Sequence, residues 1–280
     1  MSNTLAQEVE AKARHYYDSG DADNFYYQIW GGEDIHVGWY NSANEAISPA
    51  SRRTVERMAN KLKHPTGTRV LDIGAGYGGS CRFLAKQKGY HCTALNLSTV
   101  QNQRDRQMNR EQGLEDRVNV VDGSFEDLPF DDASYDVVWS QDAILHSGDR
   151  KLVFQEVDRV LKPGGEFIFT DPMQKHGVDA KLLEPVLARI HLSSMGSIET
   201  YKGFAKELGW EVVEVEDATD KLVMHYTRVL QELERREAEL KGAVSDDYID
   251  RMKVGLNHWI RAGREGALSW GILHFRKPAA

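Results

Sequence analysis

From residue 67 to 171, short apolar runs alternate with amphipathic stretches of helical period. TRVLDIG holds Val70, Leu71 and Ile73 with almost no polar interruption, which predicts a buried strand. GGSCRFLAKQKG predicts a helix, YHCTALNLS a strand, and TVQNQRDRQMNREQG a helix that stops at Gly113. RVNVVDG and SYDVVWSQDA predict two more strands, the second built on Val137, Val138 and Trp139. DRKLVFQEVDRVLKPGG predicts a helix ended by Pro163-Gly164-Gly165, and EFIFTD a fifth strand. Strands separated by helices of roughly 10 to 15 residues predict an α/β fold with a parallel, doubly wound sheet.

The flanks differ in pattern. Residues 1–66 predict a helical lid: LAQEVEAKARHYYDSG has helical spacing, and ISPASRRTVERMANKLK predicts a helix with Ser48 as N-cap and Pro49 at its first position. Residues 67–171 form the expected ligand-binding core, and residues 172–209 an inserted, mostly helical cap. In residues 210–280, WEVVEVEDAT predicts a strand near a sheet edge, two long amphipathic helices follow, and ALSWGILHFRK predicts a last apolar strand. Together these predict a Rossmann-like sheet of seven strands, mostly parallel with one antiparallel member, and helices on both faces.

Composition narrows the function. Lys and Arg number 35 against 43 Asp and Glu, a formal charge of −8, which argues against a nucleic-acid binder tracking phosphates. Two cysteines, Cys81 and Cys92, with no Cys/His ligand spacing make a disulfide scaffold or a zinc site unexpected, and no metal is assigned. The absence of a long apolar stretch and of a signal-peptide pattern sets the expectation of a cytoplasmic protein that does not enter membranes, a monomer or small homo-oligomer. Eight aromatic residues crowd the segment from Tyr16 to Tyr40. They fit either packing of an amphipathic cap or an aromatic lid over a ligand.

The most specific signal is VLDIGAGYGG, residues 70–79. A buried strand ends in Asp72, then a tight glycine turn, then a helix, at the carboxyl edge where open α/β sheets bind ligands. Gly74, Gly76 and Gly79 satisfy the dinucleotide spacing, and no Lys is present for a P-loop. Asp72 separates the readings. A carboxylate there opposes a pyrophosphate at the helix N-terminus and favours a cationic ligand, which points to S-adenosylmethionine.

With those residues in place, the segment resembles the first motif of class I S-adenosylmethionine-dependent methyltransferases. The resemblance implies a cofactor site of Asp72, Gly74, Ala75 and Gly76. It extends to Asn96 and Leu97 after the second strand, where the family has Asp or Glu holding the ribose hydroxyls, with Gln101 assisting. Ser124 and Phe125 fall where the family lines the adenine, Ser140 and Gln141 beside the methionine part, and Gly38 is included from the N-terminal segment. FYYQIWGGEDIHVGWY, SQDAILHSGD, FTDPM and GLNHWIRAGREGALSWG together resemble sarcosine/dimethylglycine N-methyltransferases, which form glycine betaine and are related to phosphoethanolamine methyltransferases.

That narrower resemblance implies N-methylation of a small amine. His146 would be the catalytic group with Tyr17 as lid partner, Tyr26 being the second choice. Asp142 would hold the substrate ammonium by charge; the plainer alternatives are a hydrogen-bonded helix start for His146 and an N-cap for Asp142. Arg189 matches where the phosphoethanolamine relatives bind phosphate and would take a substrate carboxylate, with Arg52 and Arg53 as weaker candidates. Met173 and Met195 would pack on the pocket, and Tyr26, Trp30 and Trp39 could form a cage for the methylammonium. Residues 15–45 contain no Lys or Arg, which disfavours a phosphorylated substrate. A phosphoethanolamine or natural-product methyltransferase, a non-catalytic nucleotide-binding module and an NAD-dependent oxidoreductase are the competing readings.

Overall fold

The computed structural model describes residues 9, 11–12, 14, 18–190, 192 and 194–279, with backbone only at 189 and 190. Seven strands form one sheet: β1 (Arg69–Ile73), β2 (His91–Asn96), β3 (Val118–Asp122), β4 (Tyr135–Gln141), β5 (Leu161–Gln174), β6 (Glu211–Asp217) and β7 (Leu268–Arg276). Their order is β3-β2-β1-β4-β5-β7-β6, and β7 runs opposite to the other six. The connection reverses direction between β1 and β4, so a crevice opens at their carboxyl ends.

From Gly20 onward the α-helices are α1 (Gly20–Tyr26, continued by a π-helical turn, Tyr27–Gly31), α2 (Ile47–Lys61), α3 (Gly79–Lys88), α4 (Thr99–Glu111), α5 (Arg150–Val160), α6 (Ala180–Ile190), α7 (Ile198–Glu207), α8 (Thr219–Leu240) and α9 (Asp246–Arg264). Several begin at the side chains expected of N-caps: Asp149 accepts from Leu152 N at 3.1 Å, Ser197 from Thr200 N at 3.0 Å, and Ser245 from Tyr248 N at 3.3 Å. Each such cap contributes about 1 kcal/mol. None of the helices among the described residues is long and apolar enough to cross a membrane.

One face of the sheet packs on α5 and α7 through an aromatic nucleus. Phe154 sits within 6.2 Å, ring centre to ring centre, of Phe167, Phe169, Tyr201, Phe204, Trp210 and Phe275. The other face packs on α2 and α3 through Val55, Met58, Cys81, Leu84, Val70 and Trp139. Such rings bury large apolar areas, and edge-to-face pairs add about 0.5–1.5 kcal/mol each.

Three details depart from the sequence expectation. Helix α2 starts at Ile47 with Ala46 at the cap position, which places Ser48 and Pro49 inside the first turn. Proline is tolerated there because first-turn N–H groups have no intrahelical partner. Strand β5 runs on to Gln174 because the long β7 pairs with it as far as Leu268. In the aromatic segment Phe25 and Tyr40 are buried, while Trp39 lies half-buried beneath Arg57, whose guanidinium sits 4.1 Å over the ring. Much of that aromatic content therefore packs the lid against α8 and α9.

Candidate active site

The glycine turn is built against its neighbours. Gly74 N and Ala75 N both donate to Leu95 O, at 2.8 and 3.1 Å, which ties the turn to the end of β2. Gly74 has φ +81°, and a Cβ there would overlap the Ala143 methyl, so both backbone angle and space require glycine. Asp72, the last polar residue of β1, is buried and accepts a long hydrogen bond from Cys81 Sγ at 3.7 Å. Burial pushes its carboxyl up to about 8, and the nearby charges of Asp105 and Asp34 push the same way.

A cavity opens above this turn. Its wall includes Asp72, Gly74, Ala75, Gly76, Asn96, Leu97, Gln101, Ser124, Phe125, Gln141, Asp142 and His146. The arrangement of its amides suits a nucleoside. Asn96 Nδ2 donates to Gln101 Oε1 at 2.9 Å, which leaves Asn96 Oδ1 and Gln101 Nε2 as an acceptor and a donor for a diol. Gln101 Nε2 is buried without a partner among the described residues, as is Nε2 of Gln141, whose Oε1 accepts from Ser80 Oγ at 2.5 Å and Trp139 Nε1 at 3.1 Å. Two buried donors at the wall, with Asp72 beneath, fit a ligand that carries hydroxyls and a cation. Among the described residues, no three His, Cys, Asp or Glu are placed to hold a metal ion.

The sequence reading missed the segment Glu33–His36, which forms a further wall of this cavity. It lies directly on the start of α3, where a Cβ at Gly79 would overlap Asp34 Oδ1 and Glu33 O. Arg52 Nε binds Asp34 at 2.8 Å. Arg82 binds Glu33 at 2.8 Å and Asp105 at 2.6 Å, both its guanidinium and the Asp105 carboxylate being buried. The lid is also held at Asp18, which accepts from Ser98 Oγ at 2.7 Å, and at Asp23, which takes Tyr77 Oη at 2.8 Å and Arg104. The local signal was the acidic pair after Gly31-Gly32; what it docks against is a long-range contact.

A second, larger cavity lies beyond the first. Tyr26, Ile35, His36, Asp142 and His146 line both, and so frame the window between them. Asp142 stands at φ +53° just past β4. Its Oδ2 accepts from Val37 N at 2.6 Å and its Oδ1 from Trp270 Nε1 at 2.8 Å, so its carboxylate is fixed by the lid on one side and β7 on the other. His146 ends the short helical turn Ile144–His146; Leu145 N at its centre donates to Asp171 Oδ1 at 2.9 Å. Asp171 is fully buried, accepts from Tyr201 Oη at 2.5 Å, and is pushed up by burial to about 7. Tyr26 and Trp30 face each other at 4.9 Å on the outer cavity, and His225 lies 5.4 Å from Trp30.

Other expected site residues lie elsewhere. Ser140 points to the opposite face of β4 from Gln141 and donates to Ile73 O at 2.7 Å. Gly38 packs on Ala50 and donates its N–H to His225 Nδ1, away from the cofactor-side cavity. Met173 is sealed in the aromatic core, and Met195 is buried with Leu183, Val186 and Trp259; neither lines either cavity. Trp39 is held by Arg57 outside both cavities, Arg52 is committed to Asp34, and Arg53 binds Glu45 at 2.6 Å. Tyr17 lies outside the described residues, as does the side chain of Arg189, whose backbone belongs to α6.

The methyltransferase domain family matches residues 71–169. The chain is 59% identical to the sarcosine/dimethylglycine N-methyltransferase of Aphanothece halophytica over 98% of its own length and all of that protein. It is 55% identical to the enzyme of the same name from Halorhodospira halochloris over 99% of its length and all of that protein. A crystal structure from Galdieria sulphuraria, provisionally assigned as a sarcosine dimethylglycine methyltransferase, superimposes with a TM-score of 0.89 at 44% identity, covering 95% of this chain and 100% of that one. The core motif, the doubly wound sheet and full-length identity converge: this chain belongs to the sarcosine/dimethylglycine N-methyltransferase family.

Proposed function

We propose that the protein transfers methyl groups from S-adenosylmethionine to sarcosine and then dimethylglycine in the cytoplasm, forming the osmolyte glycine betaine. The observation that carries this reading is the window framed by Tyr26, Ile35, His36, Asp142 and His146, where the cavity over the glycine turn meets an aromatic one. The names of the full-length relatives support the choice of acceptor.

When bound, S-adenosylmethionine supplies a methyl group activated on a sulfonium. Asp72 would offer a negative charge to the cationic end, and Asn96 with Gln101 would hold the ribose diol. Glu33–His36 closes over the glycine turn and excludes water, while Phe125 provides an apolar wall. In the outer cavity, Tyr26 and Trp30 present π-faces to an alkylammonium, an attraction of about 1–2 kcal/mol when desolvated. Asp142, held by Val37 and Trp270, attracts the amine to the window. The gain from holding the amine in line for displacement is roughly 7–11 kcal/mol in favourable intramolecular cases.

Sarcosine, a secondary amine, is mostly protonated at neutral pH, by analogy with the lysine range near 10. His146 at the window would accept that proton. Dimethylglycine, a tertiary amine, is likewise mostly protonated at neutral pH and must give up that proton, again to His146, before its nitrogen attacks; the quaternary ammonium product then has no proton left to lose. The test is formation of S-adenosylhomocysteine by the purified protein with sarcosine, dimethylglycine, glycine and phosphoethanolamine in parallel. Sarcosine and dimethylglycine should turn over. Inertness toward both, with turnover of another acceptor, would overturn the substrate assignment. His146→Ala should slow turnover roughly 10²-fold or more while cofactor affinity holds.

A further inference from the structure

The outer cavity has an unassigned polar group in its wall. His225 projects from α8 and is 1% exposed. Its Nδ1 receives two hydrogen bonds, from Gly38 N at 3.2 Å and Tyr40 Oη at 2.9 Å. A backbone N–H can only donate, so Nδ1 is the unprotonated nitrogen and the ring proton sits on Nε2. Burial holds the imidazole down at about 3, with His36 acting in the same direction, so the ring stays neutral. The Nε2–H so defined has no partner among the described residues, and His225 lines the outer cavity beside Tyr26, Trp30 and Tyr226. A buried donor left unpaired is costly, and the residue that carries it belongs to the wall of the outer cavity.

We propose that His225 is a specificity-determining residue whose Nε2–H donates to the carboxylate of the amino-acid acceptor. This rests on the amino-acid reading of the outer cavity and adds its anion-recognising group. The aromatic pair Tyr26 and Trp30 would receive the methylated nitrogen, and His225, 5.4 Å from Trp30, would receive the other end of the same small zwitterion. Arg251, which also lines this cavity, directs its Nε to Asp247 O and its guanidinium to the Tyr248 ring. A neutral donor has a further use here. It recognises a carboxylate without the full charge that would retain a zwitterionic product.

Protein labelled with ¹⁵N-histidine and saturated with S-adenosylhomocysteine tests the proposal. The Nε2–H resonance of His225, identified by its loss in His225→Gln, should move downfield on titration with dimethylglycine. It should stay in place with N,N-dimethylethanolamine, which keeps the amine and replaces the carboxylate by a hydroxyl. In kinetics, His225→Leu should raise KM for dimethylglycine roughly 10- to 100-fold, the loss expected for a hydrogen bond to a charged group, with cofactor Kd held within about twofold. His225→Gln, which retains an acceptor for Gly38 and a donor for the cavity, should recover part of that loss. An unmoved resonance in wild-type protein that turns over dimethylglycine would overturn this assignment alone, whether or not the variants fold. Wild-type protein inert toward sarcosine and dimethylglycine would remove the functional reading, and this assignment with it.

Discussion

Binding of S-adenosylmethionine at pH 7 should expel a proton from Asp72. The carboxyl is fully buried and titrates at about 8, so at pH 7 about nine molecules in ten carry the proton. A cation favours the ionised form, and drawing the bound-state value back toward the ordinary carboxylate range releases about 0.9 proton per molecule bound. At pH 9 the group is already ionised in the free protein, and release falls to about 0.1. Affinity should accordingly rise nearly tenfold per pH unit below 7 and level off above about 8. Isothermal titration in buffers of differing ionisation enthalpy measures the proton directly. Asp72→Asn should abolish the release and flatten the pH dependence. Binding at pH 7 without proton release, or release that persists in Asp72→Asn, would refute the claim that this carboxyl answers the ligand's charge.

Four more outcomes follow from the geometry. Asp72 and Asp171 both titrate far above the ordinary carboxylate range when folded, so between about pH 4 and 8 the native state holds more protons than the unfolded chain. Thermal stability of the ligand-free protein should therefore fall as pH rises through that window, which a melting series would show. Arg82→Met strands the buried Asp105 carboxylate and should cost roughly 3–5 kcal/mol in urea unfolding. Gly74→Ala meets both an unfavourable backbone angle and the Ala143 methyl, a combined penalty of roughly 2–5 kcal/mol that should appear in melting temperature and cofactor affinity together. Trp270→Phe removes the donor to Asp142 Oδ1 and should lower kcat about tenfold with cofactor Kd unchanged, consistent with losing one hydrogen bond to a charged group.

The strands and the glycine turn were legible because their signals are local. A continuous apolar run means a strand buried on both faces, and a carboxylate followed by glycines at a strand's end means a ligand edge. Adjacent positions on a strand are harder. Ser140 and Gln141 were both expected at the cavity, yet side chains alternate, and only Gln141 reaches it. Met173 lies in the core because β5 continues beyond the expected end of its strand. The docking of Glu33–His36 on α3, and of Gly38 and Tyr40 on His225, joins residues far apart in the chain. No periodicity encodes such contacts, so the lid's acidic pair and the buried imidazole became visible only in three dimensions.

The sheet places β7 between β5 and β6, although β7 follows both in the chain. Ribosomal synthesis therefore leaves β6 without the strand that joins it to the sheet until nearly all residues have emerged. Trp270, on that last strand, is also the residue that fixes Asp142 at the window. Architecture and chemistry are thus completed by one event, and a nascent polypeptide ending short of Leu268 would have neither a closed sheet nor an oriented carboxylate with which to act on its substrate.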